Sequence, residues 1–89
     1  MPSIAFTAHL RSVGPQRPAD CDGATLSEML DAMAGDYPRL KDYLLDDQGR
    51  LRKHVAVFVD GVMVAREGAL SRALDPSSQV YVFQALSGG

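Results

Sequence analysis

The chain ends Leu86-Ser87-Gly88-Gly89, and the carboxylate of Gly89 is its most distinctive candidate for chemistry. Glycine has no Cβ, so the pair can thread a narrow passage and take backbone angles closed to other residues. Ser87 is small enough to continue such a thread. A side chain at position 88 or 89 would thicken the tail, and a misplacement of about 1 Å near a reacting centre can cost about 100-fold in rate. A carboxylate is a poor electrophile until one of its oxygens joins a good leaving group. Reaction at Gly89 would therefore need an activating agent from outside the chain. Glycines are also common at frayed ends, so the pair takes its meaning from what precedes it.

The other reactive side chains are less promising. Cys21 is the only cysteine, which excludes an internal disulfide and a cysteine-based zinc site. No CxxC pattern or basic neighbour lowers its pKa, so it reads as a plain edge-strand residue. His9 and His54 fall on expected strands without ligand-type neighbours, and no metal site is expected. Asp46-Asp47 precedes Gln48-Gly49 and reads as turn chemistry, not as a catalytic dyad.

These groups must be positioned by a small domain. Eighty-nine residues suit one compact unit, with 46% hydrophobic and 22% charged residues. Such a domain buries only about 60–65% of its unfolded surface, enough for one core but not for a deep walled pocket. A conventional enzyme is thereby disfavoured. The net charge of −2 lacks the clustered positive field of a nucleic-acid binder. No apolar run approaches the roughly 20 residues of a membrane span, and the expected location is cytoplasmic.

Ser3 to Leu10 alternates, with Ile4, Phe6, Ala8 and Leu10 facing one way, which predicts a half-buried strand. Arg17 to Cys21 is a weaker returning strand, with Pro18 suggesting an edge. Thr25-Leu26-Ser27-Glu28 matches a capping box, and Leu26, Met29, Leu30 and Met33 then form one helical stripe. Gly35 and Pro38 predict its end. Tyr37 to Arg52 is expected to connect, with Tyr43-Leu44-Leu45 tucked against the core. His54 to Val59 reads as a strand, and Asp60-Gly61 as a tight hairpin into Val62-Met63-Val64. Glu67 to Asp75 is irregular or a short helical turn, and Gln79 to Ala85 is the final strand. A domain over 1–85 and a flexible tail over 86–89 are expected.

This pattern resembles the MoaD/ThiS-type ubiquitin-like sulfur carriers, the family of the molybdopterin-synthase small subunit and of the thiamin and cysteine-forming carriers. The matching stretches are Phe6-Thr7-Ala8-His9-Leu10-Arg11, Val57-Phe58-Val59-Asp60-Gly61, and Val80-Tyr81-Val82-Phe83 followed by Ser87-Gly88-Gly89. The long Tyr37–Lys53 connection looks closer to the molybdopterin and cysteine branches than to the shorter thiamin branch. Many relatives carry proline just after the last strand, where this chain has Gln84-Ala85.

The resemblance implies an α+β, β-grasp fold: a mixed sheet of four to five strands on one main helix. It also implies a route for the tail. An E1-like adenylyltransferase/sulfurtransferase uses ATP to adenylate Gly89, and a sulfur donor displaces AMP to leave a thiocarboxylate. A sulfur-accepting enzyme is the second partner. The carrier binds no cofactor itself, is not an enzyme, and is expected to be monomeric when free. Ser87 and Gly88 would thread the tunnel. Alternatives are the small subunit of a molybdopterin-synthase-like complex and a protein modifier conjugated through Gly89.

The strand faces complete the picture. Val55, Val57 and Val59 would face the helix with Val80 and Val82, leaving Phe58, Tyr81 and Phe83 outside. One substantial helix can cover only one sheet face. In a β-grasp sheet the last strand lies between strands one and three, so these aromatics would cluster, with Thr7 and His9 nearby. Exposed aromatic clusters mark partner surfaces. Phe58, Tyr81, Phe83 and Arg11 are therefore the expected partner-binding residues, with Arg50, Arg52, Lys53 and Arg66 available for acidic patches.

Overall fold

The structure is a computed structural model and describes residues 1–84. The elements, in chain order, are β1 (Ser3–Phe6), β2 (Ala19–Asp20), α1 (Leu26–Met33), α2 (Leu40–Leu44), β3 (Val55–Val59), β4 (Val62–Val64) and β5 (Gln79–Gln84). The five strands form one mixed sheet in the order β2-β1-β5-β3-β4. β5 runs parallel to β1 and antiparallel to β3, so the last strand is central.

Alternation decides the faces. Ile4, Phe6, Val55, Val57, Val59, Val80 and Val82 are buried on one side of the sheet. Leu26, Met29, Leu30 and Met33 of α1 complete that core with Leu40, Leu44 and Leu51. The helix starts as its capping signal requires, with the Glu28 amide donating to Thr25 Oγ1 at 3.2 Å. It ends at Met33, whose carbonyl accepts from the amides of Asp36 and Tyr37, so Gly35 lies in the turn beyond.

The Asp60-Gly61 hairpin is a two-residue turn with φ of 53° and 83°, the left-handed pair that matches strand twist. Asp60 also ties it to β5. Its amide donates to the Gln79 carbonyl at 2.8 Å, and its Oδ1 accepts from the Gln79 amide at 2.9 Å.

Three expectations need correction. The first strand ends at Phe6 instead of Leu10, because the chain coils into a 3₁₀ turn over Ala8–Ser12. Phe6 and Leu10 are four apart, so a helical turn buries Leu10 as well as an extended chain would, and Ala8 and His9 face solvent. The Tyr37–Arg52 connection contains α2, a single turn that buries Leu40 and Leu44. It is uncapped by any side chain and too short to show a stripe in the sequence. Tyr43 is exposed instead of tucked in, with the Arg39 guanidinium 5.7 Å from its ring centroid.

The turn after α2 sets the approach to β3. The amides of Gln48 and Arg50 donate to Asp46 Oδ1 at 2.9 and 3.0 Å. The Arg50 amide bond is the main reason the Asp46 carboxyl is held below the ordinary carboxylate range. This contribution is full at neutral pH and fades only as pH falls through that lowered pKa. An isolated bridge between Leu45 and Leu51 then returns the chain toward β3.

Two glycines offer a contrast that tests the packing. A Cβ at Gly23 would stand 2.7 Å from the Met29 backbone nitrogen, whereas one at Gly35 would meet nothing within 4 Å. Gly23→Ala should destabilise by more than about 1 kcal/mol. Gly35→Ala should be neutral or stabilising by up to about 1 kcal/mol. Thermal unfolding resolves the difference, since 1 kcal/mol shifts Tm by about 4–8 °C in a domain of this size. Equal effects at the two positions would refute the close approach of Gly23 to α1.

Candidate functional site: the open sheet face and the root of the tail

The last described residues belong to the most constrained strand of the sheet, β5, which is paired on both sides. Gln84 pairs with Val55 of β3, and on the other side its amide donates to Thr7 Oγ1 at 3.2 Å. The Thr7 amide donates to the Val82 carbonyl at 3.1 Å. Thr7 thus continues the β1 pairing with its side chain just where the backbone turns away. Residues 85–89 lie outside the described residues, so the end of the last strand at Ala85 and the readings of Ser87, Gly88 and Gly89 are not placed by the structure.

No element of the described residues covers the face away from α1. Phe58 pairs with Tyr81, Ala56 with Phe83, and Ala5 with Tyr81, which puts all five side chains on that face. Tyr81 and Phe83 are 40% and 41% exposed, and Phe58 is half-buried between neighbours. The small side chains of Ala5 and Ala56 leave room between the rings. The resulting open concavity, about 1060 Å³ in volume, is floored largely by apolar atoms.

The structure brings Phe58, Tyr81 and Phe83 together, as the strand faces required. It adds Met63, which pairs with Phe58 and is 62% exposed. That residue was recoverable in principle, because a two-residue hairpin at Asp60-Gly61 fixes Phe58 opposite Met63. His9 does not join the cluster, since it sits on the 3₁₀ turn. Arg11 is exposed on the same turn, beyond the end of β1, and its Nε donates to the Phe6 carbonyl at 3.1 Å.

The remaining candidates have structural surroundings. Cys21 Sγ lies 3.5 Å from the Met29 carbonyl oxygen. Burial, then the nearby Asp22 and Asp36 carboxylates, push its thiol up, away from the thiolate form. Among the described residues no group of three or more His, Cys, Asp or Glu side chains could hold a metal ion. No helix among them is long and apolar enough to cross a membrane.

A mixed five-stranded sheet with its last strand central, wrapped on one face by a helix, is the β-grasp, ubiquitin-like architecture. The chain belongs to the ThiS family, whose model matches residues 4–89. It is 34% identical over 71 residues to small archaeal modifier protein 1 of Haloferax volcanii, covering 79% of this chain and 77% of that protein. The crystal structure of that protein superposes with a TM-score of 0.77 at 31% identity, covering 99% of this chain and 98% of the other. The fold is also that of a chain in the crystal structure of the Amycolatopsis orientalis BexX/CysO complex, with a TM-score of 0.86 at 20% identity, covering 100% of this chain and 100% of that one. The family and these relatives place the chain among ubiquitin-like sulfur carriers or modifiers.

The two faces of β5 should respond oppositely to mutation. Val82, 1% exposed, points into the core, while its neighbour Phe83 points out. Val82→Ala should cost about 1.5–3 kcal/mol. Phe83→Ser should cost less than about 1 kcal/mol. Urea denaturation of both variants checks this, and a Phe83→Ser loss as large as that of Val82→Ala would mean the face is covered.

Proposed function

We propose that this chain is a sulfur carrier working through the carboxylate of Gly89. An E1-like activating enzyme joins that carboxylate to AMP from ATP, releasing pyrophosphate. A sulfur donor displaces AMP, and the resulting thiocarboxylate gives its sulfur to an accepting enzyme in the cytoplasm. Ser87 and Gly88 thread the active site of each partner, and Phe58, Tyr81, Phe83 and Arg11 dock the domain. The chain itself contributes no acid, base, metal or cofactor, and its role is presentation.

One observation carries this reading. The strand that bears the exposed aromatics, β5, is the strand that runs on toward Gly88-Gly89. A partner gripping that face holds the tail at a fixed distance and direction, which is the main requirement for reaction at a chain end. A second reading is a modifier joined through Gly89 to a lysine amine, and the likeness to a small archaeal modifier protein supports it. Both begin with the same adenylate and differ in the nucleophile that attacks it.

Intact mass after incubation with ATP, a sulfur source and the cognate activating enzyme tests the carrier reading. The expected product is heavier by the difference between sulfur and oxygen, and deletion of Gly88-Gly89 abolishes it. Higher-mass adducts lost on the same deletion would favour the modifier. Absence of both adenylate and thiocarboxylate would overturn the carrier. Phe83→Asp should lower kcat/KM for adenylation by about tenfold or more, with the fold intact. Unchanged kinetics would remove Phe83 from the docking surface.

A further inference from the structure

The open face carries its charges at its two ends, and the ends differ in sign. Where β5 begins, Asp20 pairs with Ser3 and so shares the outer face. Asp60, at the hairpin tip of the same end, is exposed beside Gln79. Toward the end of β5, the basic residues lining the concavity are Lys53, His54 and Arg66. No aspartate or glutamate of the described residues lines it. Composition alone does not explain this, because acidic residues outnumber basic ones eleven to nine.

The basic end is built by local structure. The Asp46–Arg50 turn and the Leu45–Leu51 bridge deliver Lys53 and His54 just ahead of Val55, the partner of Gln84. Arg66 is fixed there by its Nε, which donates to the Leu51 carbonyl at 2.6 Å. Lys53 is exposed and pairs with no carboxylate among the described residues. Lys41, the other lysine, is paired with Asp31.

We propose that this polarity selects a partner whose docking surface is an apolar patch bordered by carboxylates on the side where the tail enters. Lys53 is the principal specificity-determining residue. The inference rests on the sulfur-carrier reading and specifies the chemistry of the enzyme surface it requires. Rim charges act chiefly on encounter rate and register, whereas the aromatic centre supplies most of the affinity. A carrier docked the wrong way round would set Asp20 and Asp60 against the partner's carboxylates, and like-charge contact rejects that pose. The charges therefore tell the partner which end of the face carries the tail.

The test uses the activating enzyme and the adenylation assay above, so that activation of the wild-type chain is established separately. At low salt, Lys53→Glu should raise KM for the carrier about tenfold and leave kcat unchanged. Lys53→Arg, which keeps the charge, should stay within about twofold of wild type. Arg72→Glu, exposed on the helix side near Ala73 and Leu74, serves as the charge-matched control and should stay near wild type. The Lys53→Glu defect should close near 1 M salt, where the Debye length is about 3 Å. Equal defects in Lys53→Glu and Arg72→Glu, or a Lys53→Glu defect that ignores salt, would overturn the proposal. So would sedimentation showing a stable homodimer that Lys53→Glu dissociates, since a second copy would then own the face. Failure of the wild-type chain to be adenylated would instead strike the sulfur-carrier reading.

Discussion

The pairing of β5 on both sides is the constraint on which the rest of this structure depends. The strand is hydrogen-bonded to β1 along one edge and to β3 along the other, so its direction is fixed by two ladders at once. Thr7 extends the restraint to Gln84, the last described residue, by replacing a lost backbone acceptor with its hydroxyl. A chain end that leaves from a central strand starts from a defined point and heading. One that leaves from an edge strand frays with its strand. Presentation of a terminal group benefits from this, because reach and angle are set before any partner is met.

Centrality also determines what must stay uncovered. Every second residue of β5 faces the core, so the residues between them must face away from it. The described residues hold one substantial helix, α1, whose buried residues share a single core with Val57, Val80 and Val82. Tyr81 and Phe83 are left outside, with Phe58 and Met63 beside them on β3 and β4. Polar residues on these positions would serve solubility better, and none of the four belongs to the buried core. An apolar outer row on a strand that leads to Gly88-Gly89 is therefore hard to account for by stability alone.

The sequence made some of this legible and hid the rest for identifiable reasons. Strict alternation in Val55–Val59 and Val80–Phe83 assigned both sheet faces, because a period of two has one outcome when one face is buried. Asp60-Gly61 fixed the hairpin, since its left-handed pair suits few other residue combinations. Thr25 and the Leu26–Met33 stripe placed α1 to within a turn. Phe6 and Leu10 satisfy both a strand and a helical turn, so alternation alone extends the first strand beyond Phe6, and only tertiary pairing with β5 chooses between the two. A five-residue helix such as α2 offers two apolar positions and no cap, too little periodicity to register. The polarity of the open face could not be read at all. It arises from which loops the β3 and β4 ends meet, and Lys53, His54 and Arg66 are separated from Asp20 and Asp60 only in three dimensions.

On the proposed reading, sulfur transfer and protein conjugation are not competing designs for this chain. Both require an activated Gly89, and neither asks for a side chain that the domain would have to supply. Displacement of AMP by sulfur gives a thiocarboxylate, and displacement by an amine gives an amide, with the same bond broken in each case. The carrier cannot favour one nucleophile over the other, because it holds neither. What it can control is which enzyme surface reaches the tail and in what orientation. Specificity must then lie in the aromatic face and its charged ends, where a few substitutions would redirect the chain to a different client without disturbing the core. That separation of roles follows from the sheet itself: one face holds the fold together, and the other is free to vary with the partner.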